Sequence, residues 1–339
     1  MLKSLQKAFK VKEVRDRLLY TFMMLVVIRI GCCLPIPGVD PSYLHDFFSN
    51  LQSSGMGFFN AITGGSFSSM SIFALSITPY ITSSIIMQLL TIAIPKLEEM
   101  QKDGEDGRKK IAEYTRYLTV GLALFESCAM AVGLGGKGLL LEDHRNVWGY
   151  LTVVAAMTAG SALLMWIGER ITDNGVGNGI SIVLLINIVS GTPQDMMTLY
   201  ERFMAGKSVA VATVACIIVL AIIIAIVVFV LILNDAERRI PVQYSKKMQG
   251  RRMIGGQSTY IPLKVNTANV IPVIFASSIM SMPVMIAQFF HVDYSTIGGK
   301  ILLALSSSNW FKPEAPAYSI GLLVYIVLVV LFAYFYTSI

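Results

Sequence analysis

The sequence predicts an all-α fold, a polytopic bundle of membrane helices, and three observations carry the prediction. Hydrophobic residues make up 55% of the 339 positions and charged residues only 14%, with a mean hydropathy of +0.65; soluble domains carry about 25% charged residues. Apolar stretches long enough to cross a bilayer recur along the whole chain, and Lys and Arg crowd into alternate connections between them.

Crossing the hydrocarbon as a helix takes roughly 20 mostly apolar residues, because each backbone N–H and C=O must be bonded inside the segment. About eight stretches qualify by that length. They run approximately Leu18 to Pro35, Met70 to Ile94, Tyr117 to Leu134, Trp148 to Ile167, Val176 to Val189, Ser208 to Leu233, Val270 to Phe290 and Ser319 to Ile339. The fifth is short and the second is rich in Ser and Thr, so both are expected to pack against protein or water. Pro79 is expected to kink the second. The first is not expected to be a cleaved signal peptide, although its basic start fits one: Arg29 interrupts its apolar run, and Cys32-Cys33-Leu34-Pro35 is no small-x-small cleavage site. Cys32, Cys33, Cys128 and Cys216 lack metal-type spacing and are expected to be packing residues.

Orientation follows the basic residues of short loops. One side receives Lys3, Lys7, Lys10, Lys12, Arg15 and Arg17, then Lys96, Lys102, Arg108, Lys109, Lys110 and Arg116, then Arg170, then Arg238, Arg239, Lys246, Lys247, Arg251, Arg252 and Lys264. The other side holds only Lys137, Arg145, Arg202, Lys207, Lys300 and Lys312. The N-terminus is therefore expected in the cytoplasm.

Between the first two stretches, Gly38 to Met70 contains no Lys or Arg. Its centre, Gly57 to Phe67, is apolar for about half a span and breaks at Gly64-Gly65, as a re-entrant element would; an interfacial helix on the outer surface is the alternative. The basic loop from Asn234 to Val265 fits either anionic lipid headgroups or, as a projecting hairpin, an acidic or RNA-bearing partner. There is no internal repeat, and a single membrane domain is expected.

Catalytic and cofactor patterns are missing: no His-Glu-x-x-His, no Gly-x-Ser-x-Gly, and Gly136-Lys137 is followed by Gly138 instead of Ser or Thr. No enzyme activity, cofactor or metal is expected. Gly175-Val-Gly-Asn-Gly179 superficially resembles a dinucleotide loop but opens a membrane helix, where close helix approach or a hinge explains it better. Only Arg29 and Glu126 place charge inside the expected spans, which is thin support for an ion-coupled transporter of a small solute. Ile77, Ile81 and Ile85 recur at i, i+4, i+8 on a helix otherwise lined by Ser76, Thr78, Thr82, Ser83, Ser84 and Gln88. That stripe is either helix packing or a hydrophobic constriction.

Four stretches together resemble the SecY/Sec61-alpha family of protein-export channels: Pro35-Ile-Pro-Gly38; Ser71 through Gln88; Gly168-Glu-Arg-Ile-Thr-Asp-Asn-Gly-Val-Gly-Asn-Gly-Ile-Ser181; and Gln249-Gly-Arg-Arg252 with Gln257 through Asn266. The resemblance runs from Leu18 to Ile339. It implies helices in two pseudo-symmetric halves, here 1–192 and an incomplete 193–339, around an hourglass pore. The family has ten helices, so this chain resembles a form lacking the last two.

The resemblance also implies roles. A pore ring maps to Ile77, Ile81, Ile180, Leu184 and Ile274. Phe58, Phe59, Asn60, Ile62, Gly64 and Gly65 would form a plug half-helix in the resting pore. Thr82, Ile85, Glu126, Ile279 and Met282 would line a lateral gate, with Glu126 a departure from the uncharged polar residue that relatives can carry. Arg238, Arg239, Lys246, Lys247, Arg251 and Arg252 would dock a ribosome or the SecA motor. SecE- and SecG-type small subunits, signal sequences, precursor polypeptides and anionic lipids are the implied partners, in a bacterial plasma membrane.

Overall fold

The computed structural model describes residues 10–40, 63–134, 138, 140–141, 144–242, 247–249, 252–254, 259–268, 270–289, 296–306, 310 and 316–338. It divides into two compact units, one of Met1–Pro193 with Phe275–Val327 and one of Gln194–Ile274 with Leu328–Ile339.

In the first unit α1 (Lys12–Cys33) ends at Leu34, which is extended (φ −85°, ψ 107°), as the residue before Pro35 must be to avoid the proline ring. The chain then returns to the same place. The Ile72 N–H donates to the Leu34 carbonyl at 3.0 Å and the Ile36 N–H to the Met70 carbonyl at 3.1 Å.

The second expected span needs correction. Its helix, α2 (Thr78–Ala93), begins eight residues later than Met70, and Pro79 lies in its first turn, so it starts the helix and does not kink it. A proline there loses no hydrogen bond, because the first N–H groups of a helix have no intrahelical acceptor. Thr63 to Ile77 is instead a run of tight turns: Ser66 bonds back to Thr63, Met70 to Phe67, Ala74 to Ser71 and Ser76 to Phe73. Met70 (φ 41°) and Ser76 (φ 52°) are left-handed, each costing roughly 1–2 kcal/mol relative to an ordinary backbone. Backbone of this kind survives in a membrane protein only where it is buried in protein or lines a water-filled cavity. Here Phe67, Met70, Ala74 and Leu75 join Ile36, Val39, Ala123, Met130, Val153 and Met157 in the buried core.

At its other end α2 stops at Ile94 (φ −112°, ψ 110°) before Pro95, and α3 (Pro95–Lys102) leaves at 101°. After a turn through Gly104 (φ +82°) come α4 (Glu105–Leu134) and α5 (Val147–Asn174), which pack on each other; α2 packs on α4 and α1 on α5. Small residues let backbones approach. A Cβ on Gly160 would strike the Ile72 carbonyl, and one on Gly31 the Phe73 ring.

The fifth span is also longer than expected: α6 runs Gly179–Phe203 with Pro193 inside it. It continues into α7 (Val209–Asp235), whose apolar window has no buried residue. A soluble protein could not leave such a helix exposed, whereas lipid is a good solvent for it. The basic loop is an antiparallel hairpin, β1 (Glu237–Val242) against β4 (Thr259–Lys264), with β2 (Lys247–Gln249) against β3 (Arg252–Ile254) beyond it. Glu237 stands opposite Lys264, a favourable cross-strand pair. Then follow α8 (Ile271–Phe289), α9 (Ile297–Leu305) and α10 (Ile320–Ser338). Each apolar stretch read from the sequence overlaps one of these helices, and among the described residues four helices are long and apolar enough to cross a membrane, or five if the bent pair α2–α3 is one span. Of the cysteines expected to pack, Cys32 is buried, while Cys33, Cys128 and Cys216 are exposed on their helices.

Candidate functional site

The glycine-rich run before α6 is a capped helix entry. Gly177 (φ +75°) makes the turn, Asn178 Oδ1 accepts from the Ile180 N–H at 3.0 Å, and Thr172 Oγ1 accepts from the Gly179 N–H at 2.9 Å. An Asn at the N-cap satisfies donors that the helix itself cannot. Gly179 then lies flush on the Gly168 carbonyl of α5, where any Cβ would collide. The close approach expected of this run is therefore what it makes.

That crossing brings two of the ring candidates together. From the Cβ position on Gly168, Ile180 Cγ1 lies at 3.5 Å and Ile77 Cδ1 at 3.7 Å. Ile77, the N-cap of α2, and Ile81 one turn later are buried, with Ile85 continuing the stripe. Ile180 and Leu184 occupy one face of α6 a turn apart and are half-buried. Ile274 is half-buried on α8 and belongs to the other unit.

Of the plug candidates, Phe58, Phe59, Asn60 and Ile62 lie outside the described residues. Gly64 (φ +65°) and Gly65 (φ +81°) make a left-handed turn that other residues resist. Gly64 also sits against α6: its Cβ would be 3.0 Å from the Asn187 carbonyl oxygen and from Ser190 Oγ.

Around this contact lies a polar cluster that the sequence reading missed. Arg29 Nη1 donates to Ser190 Oγ at 2.8 Å and to the Gly64 carbonyl at 3.3 Å, while Ser190 Oγ donates to the Asn187 carbonyl at 2.6 Å. Asn187 Nδ2 donates to Ser76 Oγ at 3.0 Å, and the Ser76 carbonyl accepts from Ser161 Oγ at 3.3 Å. The signal was available: Asn187 interrupts Ile-Val-Leu-Leu-Ile, and a polar side chain within an apolar span normally bonds across helices.

Among the gate candidates Thr82 Oγ1 bonds its own helix, at the Thr78 carbonyl 3.1 Å away. Glu126 Oε2 on α4 is buried with no hydrogen-bond partner among the described residues. On α8, Ile279 is exposed and Met282 half-buried. At the basic ends of α4 and α5, Arg116 Nε meets Glu169 Oε1 at 2.7 Å. That hydrogen bond raises the guanidinium's already high pKa, so Arg116 is charged at any physiological pH.

Of the docking candidates, Arg238 and Arg239 are exposed on β1 and alternate across the strand. The Arg239 guanidinium stacks over the Tyr260 ring, 4.7 Å from its centroid. Lys247 and Arg252 lie in β2 and β3, and Lys246 and Arg251 lie outside the described residues.

Fold and site together define a polytopic helical membrane protein whose first unit encloses non-helical backbone in its core. A family model for SecY matches residues 71–339, and the chain belongs to the SecY family. It is 42% identical over 350 residues to the protein translocase subunit SecY of Streptomyces scabiei, covering 100% of this chain and 77% of that one. It is similar in fold to a solved SecY whose plug domain stabilises the closed state and maintains a membrane seal, with TM-score 0.60 and 18% identity over 95% of this chain and 71% of that one. The Sec61 channel of a canine ribosome–channel complex is similar too, with TM-score 0.57 and 19% identity over 96% and 73%.

Proposed function

We propose that the chain is a protein-conducting channel subunit that passes unfolded secretory polypeptides across a bacterial plasma membrane and releases transmembrane segments sideways into lipid. The observation that carries this is 42% identity to a protein translocase subunit across the whole chain. A small-solute transporter has no comparable support.

In this reading the chain does no bond-making chemistry and uses no cofactor. Ile77, Ile81, Ile180, Leu184 and Ile274 form a ring that admits a polypeptide while expelling water and ions. The halves 1–192 and 193–339 surround that pore. The segment from Phe58 to Gly65 plugs it at rest. Thr82, Ile85, Glu126, Ile279 and Met282 line the lateral seam through which an apolar segment leaves, because its transfer to lipid is favourable. Opening is a population shift, so a signal sequence must bind the open gate better than the closed one. Small SecE- and SecG-type subunits brace the seam. Arg238, Arg239, Lys246, Lys247, Arg251 and Arg252 present positive charge to a ribosome or to the SecA motor, with anionic lipid headgroups beside them. The N-terminus is cytoplasmic.

The test is a photocrosslinker at Ile81, with a control at Ile226, which is 57% exposed on α7. The channel is reconstituted with its small subunits and a secretory precursor is stalled in transit. Adducts at Ile81 and not at Ile226 are expected. Confirmed translocation without adducts at Ile81 would remove it from the conduit.

A further inference from the structure

Arg29 is a half-buried cation about one turn from the C-terminal end of the apolar α1, a position where an unpaired charge is costly, and no carboxylate pairs with it among the described residues. What it holds instead is backbone and hydroxyl. Nη1 alone makes both bonds, to the Gly64 carbonyl and to Ser190 Oγ. Ser190 is oriented for this: its proton goes to the Asn187 carbonyl, which leaves its lone pairs toward the guanidinium. Gly64 reaches the site only because it lacks a Cβ and takes a left-handed φ.

We propose that Arg29 is a positioning residue for the resting channel, a latch that clamps the end of the plug at Gly64 to α6 at Ser190. This rests on the plug reading above. The same cluster runs on through Asn187 to Ser76, the residue before Ile77. The clamp therefore ties the plug's end to the segment that sets the position of the ring. Moving Gly64 away from α6 has to part the bond chain Gly64–Arg29–Ser190, in which the 2.8 Å Arg29–Ser190 link is the one that fastens it to α6. Opening has to supply that cost, and the latch biases the population toward the closed state.

Arg29→Gln and Ser190→Ala test the proposal in channels reconstituted with their small subunits. Ser190→Ala keeps the charge and removes one acceptor, so it reads the latch even where Arg29→Gln fails to accumulate. Two quantities are measured: ion leak through channels without substrate, and export of a precursor with a weakened signal sequence relative to the same precursor with an intact one. Losing a charge-assisted bond is expected to raise both by about tenfold, an effect that a merely structural role in α1 would not produce at normal thermal stability. Unchanged leak and unchanged export ratio in stably folded Ser190→Ala channels overturn the latch. Absence of precursor export in the unaltered channel would instead overturn the proposed function, while the leak measurement would still read the latch.

Discussion

Asn187 Nδ2 donates to Ser76 Oγ across 3.0 Å, joining segments 111 residues apart in the chain. Both residues are almost completely buried, and Ser76 is held at φ 52°. The bond is thus one of the forces that keep an unfavourable backbone conformation in place at the entry to α2. Asn187→Ala is expected to lower stability by about 0.6–1.7 kcal/mol, the range measured for hydrogen bonds between membrane helices. Thermal unfolding in detergent reads it. A variant as stable as the parent would mean that the turn is held by Ser161 and packing alone.

Gly168 and Gly179 face each other across the α5–α6 crossing but have different room. A methyl on Gly168 would meet Ile180 and Ile77 at ordinary van der Waals distance, whereas one on Gly179 would collide with the Gly168 carbonyl. Gly179→Ala is expected to cost about 1–3 kcal/mol by overpacking. Gly168→Ala should lie well below it in a comparison of unfolding temperatures, and the reverse order would contradict this crossing.

The Arg116–Glu169 pair joins α4 to α5 at their basic ends, with the two side chains 49% and 26% exposed. At such exposure a double-mutant cycle with Arg116→Ala and Glu169→Ala is expected to give a coupling of about 0.2–1 kcal/mol, falling as salt is raised. A coupling well above that, insensitive to salt, would mean that the pair is sealed from water in the assembled channel.

On the hairpin, Arg238→Ala and Arg239→Ala are each expected to weaken binding of ribosomes or motor several-fold and to flatten its salt dependence, because each removes one steering charge. Arg239→Lys should recover only part of this, since an ammonium does not stack on Tyr260 as a guanidinium does. Co-sedimentation across a salt series makes the measurement. Binding unaffected at every salt concentration would leave lipid headgroups as the hairpin's contact.

Much of the candidate site was legible as residue types and little of it as geometry. The aliphatic stripe of Ile77, Ile81 and Ile85 and the closely packed glycines before Ile180 could be read from spacing. Their meeting at Gly168 could not, because Ile77 and Ile180 stand more than a hundred positions apart and nothing local records a crossing. Pro79 shows the limit of a local rule. A proline within an apolar stretch reads as a kink, and only the pairing of Leu34 and Ile36 with Ile72 and Met70 makes it a helix start.

By itself the sequence determined the solvent, the helical class and roughly where the long apolar helices fall, because apolar length and the demand for internal hydrogen bonds act within a single segment. It also determined where the basic hairpin falls. The tertiary structure alone decided which backbone is left non-helical inside the protein, which glycines are contact points, and that Arg29, Gly64, Ser190, Asn187 and Ser76 form one polar cluster. Those outcomes depend on partners distant in the chain. A buried polar group is stable only where such a partner meets it, and that meeting is a property of the packed fold.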